Sequence, residues 1–423
     1  MLLKQKTVRK SKLSVRYASM LVLVFLLITS CSKDDHIPVN KYFVSKTQTT
    51  SFTKTYITNL FDGASAFVPE IAELKPHISS DITIYKIVYK TTIDSIRINA
   101  SGLVCVPSTP GSYPVLSFQN GTNTLNANAP SMAFFDYSYQ LIEIIASMGY
   151  IVVIADYPGF GESAQIPHPY LVEEPTVNSL VDMLYAVKEM DESELPEITL
   201  KNEYYLLGYS QGGWATLALH KSLELEYNND FNLIGSACGA GPYDIYLLMQ
   251  QIIDEPTYPM PVYLGYILKA YNSYEQFTNP VSDIFNEPYT SKLGSLYNGL
   301  LSSEQINSQL TSSIPGLLNP DFLEGFDSDP KYLQVRSALI KNSIEPWQSN
   351  KPLLLIHGGN DTQVYPVSTE YMFTTMVQSG TSTDLIKKVI IPGLDHGDGV
   401  VPCMMQSILY LNGLNTSAKK FEE

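Results

Sequence analysis

The chain has 423 residues, 44% of them hydrophobic and 16% charged, a composition that fits a globular protein and excludes a disordered or fibrous one. Its formal net charge is −15, although the first 30 residues carry six cations and no acid. So acidic a body is a poor partner for a polyanion, and nucleic-acid binding is excluded as a function.

The N-terminus reads as an export segment (1–30). A basic stretch leads into the apolar run Met20–Ile28, which is too short to span a bilayer and has the layout of a secretory signal. The run ends in Ile28-Thr29-Ser30-Cys31, which resembles a bacterial lipobox. That resemblance implies lipidation of Cys31 and a membrane anchor that does not span. The acidic stretch "CSKDD" (31–35) resembles a surface-export signal of Gram-negative lipoproteins, so an outer-membrane or cell-surface location is expected. Three cysteines remain, Cys105, Cys238 and Cys403; they are far apart, without metal-like spacing, and read as buried apolar side chains.

Residues 31–80 read as a polar tether and N-terminal extension that becomes weakly helical over "TNLFDGASAFVPEIAELK". The segments 82–93 and 96–107 alternate apolar and polar residues like an antiparallel hairpin. A strand–helix rhythm follows. Buried strands are predicted at 113–121, 150–159, 204–210, 232–241, 351–359 and 385–393, with helices at 132–149, 177–190, 212–226, 369–379 and 401–414. Near-continuous apolar strands alternating with amphipathic helices predict a doubly wound, mostly parallel sheet of the α/β class. One stretch breaks the rhythm. Residues 242–350 are too many for a crossover, and they read as a mainly helical cap inserted into a core formed by 81–241 and 351–423.

The sharpest local signal is Gly208-Tyr209-Ser210-Gln211-Gly212, set between an apolar strand and a helix. A serine on such a turn projects its hydroxyl above the sheet edge, beside the free N–H groups of a helix start. A hydroxyl is a weak nucleophile and needs a base, itself oriented by an acid. Ligands of such sheets bind at the C-terminal strand ends, so the partners should lie there. "LLLIHGGNDTQVYP" presents Asp361 and "VIIPGLDHGDG" presents His396. The rival base is His357, whose structural role would be a strand-end hydrogen bond positioning the acid loop. The rival acids Asp395 and Asp398 lie too near His396 in the chain to pair well. A developing oxyanion needs two backbone donors. One is expected at Gln211 and the other in "FQNGTNT", at Thr122, with Asn120 and Gly121 shaping that loop.

Together "VLSFQNGT", "VVIADYPGFGES", "LLGYSQGGWATLAL", "LLIHGGNDTQVYP" and "PGLDHGDG" resemble the secretory lipase and esterase branch of the α/β-hydrolase superfamily, over roughly 82–412. The resemblance implies the α/β-hydrolase fold, the triad Ser210, Asp361 and His396, and hydrolysis of carboxylic esters of lipids, polysaccharides or small molecules. Where relatives of that branch carry a histidine or aspartate, this chain has Gln119-Asn120-Gly121. No metal cluster or cofactor motif is present, and none is expected to be needed. The competing readings are a serine peptidase on the same fold and a surface lipoprotein that binds glycans or nutrients without catalysis.

Overall fold

The hairpin over 82–107 has a chemical cause at its tip. Asp94 and Ser95 both adopt positive φ, 45° and 66°, the two-residue turn whose twist matches its strands, and Ile93 pairs with Ile96 across it. The computed structural model describes residues 40–66, 68–195 and 197–422. The export segment, Cys31 and the start of the tether lie outside the described residues.

Nine strands form one sheet: β1 (Phe43–Phe52), β2 (Ile82–Ile93), β3 (Ile96–Pro107), β4 (Gly111–Gln119), β5 (Ile151–Ala155), β6 (Ile198–Tyr209), β7 (Leu233–Gly239), β8 (Leu353–Gly358) and β9 (Ile386–Ile391). Their order is β1-β2-β3-β5-β4-β6-β7-β8-β9. β1, β2 and β3 pair antiparallel, and β3 joins β5 in the same sense. From β5 to β9 every pairing is parallel. The sheet is therefore mixed and mostly parallel.

Both faces are covered, which is why the central strands are apolar without a break. In β6, Tyr204 and Leu206 enter one core, while Tyr205, Leu207 and Tyr209 enter the other. The first core is built with helices α3 (Glu173–Glu194) and α4 (Gln211–Leu225). The second is closed by α1 (Lys54–Ser65), by a helical stretch after α2 (Tyr137–Glu143), and by α13 (Val400–Glu422). Cys105, Cys238 and Cys403 are all buried free thiols. Among the described residues, no helix is long and apolar enough to cross a membrane.

Between β7 and β8 the α-helices are α5 (Ile245–Asp254), α6 (Pro261–Ser273), α7 (Tyr289–Leu296), α8 (Ser303–Asn307), α9 (Ile314–Leu317), α10 (Pro320–Gly325) and α11 (Leu333–Lys341), and the stretch contributes no strand to the sheet. Helix α12 (Val367–Gln378) follows β8. The return into β8 is fastened to α4 by one carboxylate. Glu224 accepts hydrogen bonds from Trp347 Nε1 at 2.9 Å, Ser349 Oγ at 2.7 Å and Asn350 N at 2.6 Å. Burial pushes this carboxyl up, but His220 and these three donors more than offset it and hold it at about 2.

Two elements differ from the sequence expectation. β1 falls in the segment read as tether. Only Phe43 and Phe52, at its two ends, are buried, so no apolar alternation marks it. It is an antiparallel edge strand, for which a polar Thr-rich sequence suffices. Glu189 of α3 fixes its start by accepting from the N–H groups of Lys41, Tyr42 and Phe43. The helix expected over 132–149 is shorter: α2 gives way to a 3₁₀ stretch, Ile144–Met148, ended by Gly149 at φ 90°. Ser131, just before it, is held by Asp156 through both N and Oγ, at 2.7 and 2.6 Å. The chain then spends two turns leaving that anchor.

Glu143 closes α2 facing the second core, fully buried, with no partner among the described residues for either oxygen. Burial pushes its carboxyl up to about 8. The folded state therefore holds a proton that the unfolded state releases above about pH 4.5, and stability is lost as pH rises toward 8. Glu143→Gln should raise the Tm by several degrees at pH 8 and leave it nearly unchanged at pH 4.5. Equal shifts at both pH values in a melting series would contradict this account.

Candidate active site

β6 ends at Tyr209 and α4 starts at Gln211, so Ser210 alone makes the turn. It does so at φ 60°, ψ −124°, a conformation that non-glycine residues rarely adopt. The backbone on either side leaves no room for side chains. A Cβ on Gly208 would lie 2.3 Å from Gly212 O, one on Gly212 1.9 Å from Gln119 O, and one on Gly213 2.2 Å from Gly239 O. These contacts bring the ends of β4 and β7 against the turn. Ser210 N donates to Gly239 O at 2.9 Å, and Ser210 O accepts from Trp214 N at 3.1 Å.

The structure brings Ser210, His396 and Asp361 into one hydrogen-bonded run. His396 Nε2 lies 2.9 Å from Ser210 Oγ, and His396 Nδ1 lies 2.5 Å from Asp361 Oδ2. Since a carboxylate accepts, Nδ1 donates to it and Nε2 is left to accept from the hydroxyl. Asp361 Oδ1 accepts from the N–H groups of Gln363 and Val364 at 2.8 and 2.9 Å. Burial pushes this carboxyl up. The hydrogen bonds from His357 and His396, the charge of His396 and the Val364 N–H outweigh burial and hold it at about 2.

His357 does not reach the serine. Its Nε2 lies 2.8 Å from Val364 O, an acceptor only, so that nitrogen carries hydrogen and also reaches Asp361 Oδ2 at 3.1 Å. Nδ1 then accepts from Thr369 Oγ1 at 2.8 Å. This is the acid-loop role weighed for it as the rival base. Asp395 and Asp398 are exposed, and Asp395 caps its own turn by accepting from Asp398 N. The His396 loop is held from below: Tyr209 donates its hydroxyl to His396 O at 2.8 Å.

The loop Asn120-Gly121-Thr122 lies beside Ser210. A Cβ on Gly121 would sit 3.9 Å from Ser210 Cβ. Gln211, as the first residue of α4, has an N–H with no carbonyl of its own helix to bind. Thr122 Oγ1 hydrogen-bonds the hydroxyl of Tyr170 at 2.9 Å, and Tyr157 donates to Asn120 O at 3.2 Å. His168, which the sequence does not mark, is buried with its Nε2 2.8 Å from Gln211 Nε2.

The helical excursion touches both rims of this site. Tyr266 of α6 donates to Asn123 O at 3.1 Å, and Thr124 Oγ1 donates to Leu301 O at 2.9 Å. On the acid side, Tyr258 donates to Gln363 O at 2.8 Å. Ser210 and His396 are only 8% and 7% exposed.

A mostly parallel sheet with a serine on a strained strand–helix turn, and with Asp and His at two later strand ends, defines an α/β-hydrolase. Residues 130–364, more than half of the chain, match the secretory lipase family, and the chain belongs to that family. It is a carboxylic ester hydrolase. Membership in a secretory family is in keeping with an exported chain. No curated protein matches the sequence. Among solved structures, the chain is similar to a hydrolase of unproven function from Legionella pneumophila, with a TM-score of 0.78 and 25% identity over 88% of this chain and 98% of that one. It is also similar to the rice cell wall degrading esterase LipA from Xanthomonas oryzae, with a TM-score of 0.75 and 23% identity over 89% and 98%. Candida antarctica lipase A in its closed state shares the fold at a TM-score of 0.62 and 14% identity over 85% and 78%.

Gly212→Ala should abolish the site, because its methyl carbon would occupy the space of the Gln119 carbonyl. Gly63→Ala, in open space within α1, should be neutral or stabilise by about 0.5–1 kcal/mol. Soluble yield, Tm and esterase rate of the two variants, measured side by side, check both outcomes.

Proposed function

We propose that the chain hydrolyses carboxylic esters through a covalent acyl-enzyme, with Ser210 as nucleophile, His396 as general base and acid, and Asp361 as the orienting carboxylate. The observation that carries this reading is the continuous run Ser210 Oγ–His396 Nε2 and His396 Nδ1–Asp361 Oδ2, at 2.9 and 2.5 Å. Ser210 Oγ attacks the ester carbonyl as its proton passes to His396 Nε2. The carbonyl oxygen takes the negative charge, and the N–H groups of Gln211 and Thr122 stabilise it. Collapse of this intermediate breaks the bond to the alcohol oxygen, which leaves with the proton from Nε2. Water, deprotonated by His396, then attacks the acyl-enzyme and releases the acid and Ser210. Asp361 stays ionised down to about pH 2 and balances the imidazolium that forms.

The substrate reaches Ser210 only if the excursion 242–350 acts as a cap that moves, since the serine and its base are nearly closed off. Tyr170, Tyr258, Tyr263 and Tyr266 beside the site suit an ester with an apolar part. At the N-terminus, the proposal extends to a lipidated Cys31 that anchors the enzyme to a membrane surface.

The soluble form, started after Cys31, is assayed on p-nitrophenyl esters from acetate to palmitate. Ser210→Ala should lose at least about 10³-fold in kcat and Asp361→Asn about 10³–10⁴-fold, both with folding intact. A folded Ser210→Ala that keeps the wild-type rate would end the acyl-enzyme reading. For the anchor, Cys31→Ser expressed with the full leader should move the protein from the membrane fraction to the soluble fraction. An unchanged distribution would rule out lipidation at this residue.

A further inference from the structure

The segment after β5, residues 157–170, touches both sides of the space in front of Ser210. On one side, Tyr157 and Tyr170 hold the Asn120–Thr122 loop. On the other, His168 holds the side chain of Gln211, next to the nucleophile. We infer that His168 is a positioning residue for ester hydrolysis, acting through Gln211, and that the segment 157–170 sets the spacing between the two oxyanion donors. This rests on the acyl-enzyme reading above and adds to it the element that fixes the donors.

The hydrogen-bond chemistry gives the contact a direction. His168 Nδ1 lies 2.8 Å from Pro158 O, which can only accept, so Nδ1 carries hydrogen. Nε2 of the neutral ring is then an acceptor, and Gln211 donates its amide N–H to it. Desolvation lowers the imidazole to about 4, against the opposing hydrogen bonds to Pro158 and Gln211, so the ring stays neutral at ordinary pH. Gln211 is 1% exposed, and its Oε1 has no partner among the described residues. The bond to His168 is therefore what orients this buried amide. Gln211 is also the residue whose N–H the acyl-enzyme reading takes as one oxyanion donor, so the rotamer and backbone of one residue are coupled to a ring 43 positions away.

His168 itself is firmly seated. Gly159 has φ 94°, and a Cβ there would lie 2.5 Å from His168 Cα, so the segment doubles back against the histidine. Ser163 Oγ accepts from Gly159 N at 3.1 Å and donates to Phe160 O at 2.9 Å, closing that turn. Phe160, Tyr157 and Tyr266 surround the ring, with centroids 5.0 to 5.7 Å away.

The test is a double-mutant cycle on p-nitrophenyl butyrate hydrolysis with His168→Leu, Gln211→Ala and the pair. Each single variant should lower kcat about 10- to 100-fold, the range for a small misplacement of catalytic groups, with KM within about twofold. The pair should be no slower than the worse single variant. Affinity for butylboronic acid, which mimics the tetrahedral adduct, should fall in parallel. His168→Gln, whose Oε1 can replace the Nε2 acceptor, should recover most of the rate. If His168→Leu does not fold, the cycle is run with His168→Asn, which keeps a donor for Pro158 O but is too short for Gln211. Losses that multiply in the pair, or a raised KM with kcat intact, overturn the inference. So does a lowered Tm without any loss of kcat. Ser210→Ala, run alongside, separates the two failures, since its retained activity would overturn the acyl-enzyme reading instead.

Discussion

The site depends on one backbone conformation, Ser210 at φ 60°. A residue held there costs about 1–3 kcal/mol, and it persists only where its surroundings leave no alternative. Those surroundings are backbone. The Gln119 carbonyl fills the place of a Gly212 Cβ, the Gly239 carbonyl that of a Gly213 Cβ, and the Gly212 carbonyl that of a Gly208 Cβ. The strain and the close packing have a single cause. Because the turn is this tight, the strand ends on both sides converge on the hydroxyl. One of them carries the Asn120–Thr122 loop to within reach of it, so the same contact that strains the serine also supplies its neighbours.

Around that turn the protein places rigid supports. Tyr209, one residue before the serine, reaches across to hold the backbone of His396, so Ser210 and His396 share a brace. His357 and two backbone N–H groups occupy the lone pairs of Asp361 that His396 leaves free. A carboxylate with so many donors neither rotates nor takes up a proton easily, and it keeps its one remaining direction for His396. A second buried carboxyl, Asp156, ties Ser101 of β3 to Ser131 in the loop that precedes α2, and here burial outweighs the donors and pushes the carboxyl up.

What the sequence discloses follows the range of the physics involved. The central strands are legible because burial on two faces demands unbroken apolar runs. Ser210, Asp361 and His396 stand out because each follows such a run and has a glycine within two residues in a strand-end loop. β1 is not legible, because an edge strand with only its two end residues buried carries no period. The late start of α2 goes with Asp156 gripping Ser131, a contact that no local pattern announces. His168 is hidden for the same reason: nothing near it in sequence indicates Gln211, and its tautomer is decided by the Pro158 carbonyl.

A second set of a serine, a histidine and a carboxylate sets off the geometry of the first. Ser236, His220 and Glu224 also form a run, with His220 Nδ1 2.8 Å from the serine hydroxyl and Nε2 3.4 Å from the carboxylate. Side-chain chemistry alone would not separate this group from Ser210, His396 and Asp361. Backbone and access do. Ser236 lies within β7 in ordinary extended conformation, and it and His220 are fully buried, leaving no volume where an ester carbonyl could approach. Glu224 spends its oxygens on Trp347, Ser349 and Asn350, fastening the return from the helical excursion to α4. One trio is therefore a clasp, and the other stands at a strained turn beside backbone donors and beneath helices. Residue identity supplies the proton path in both, while strand-end geometry decides where a substrate could use it.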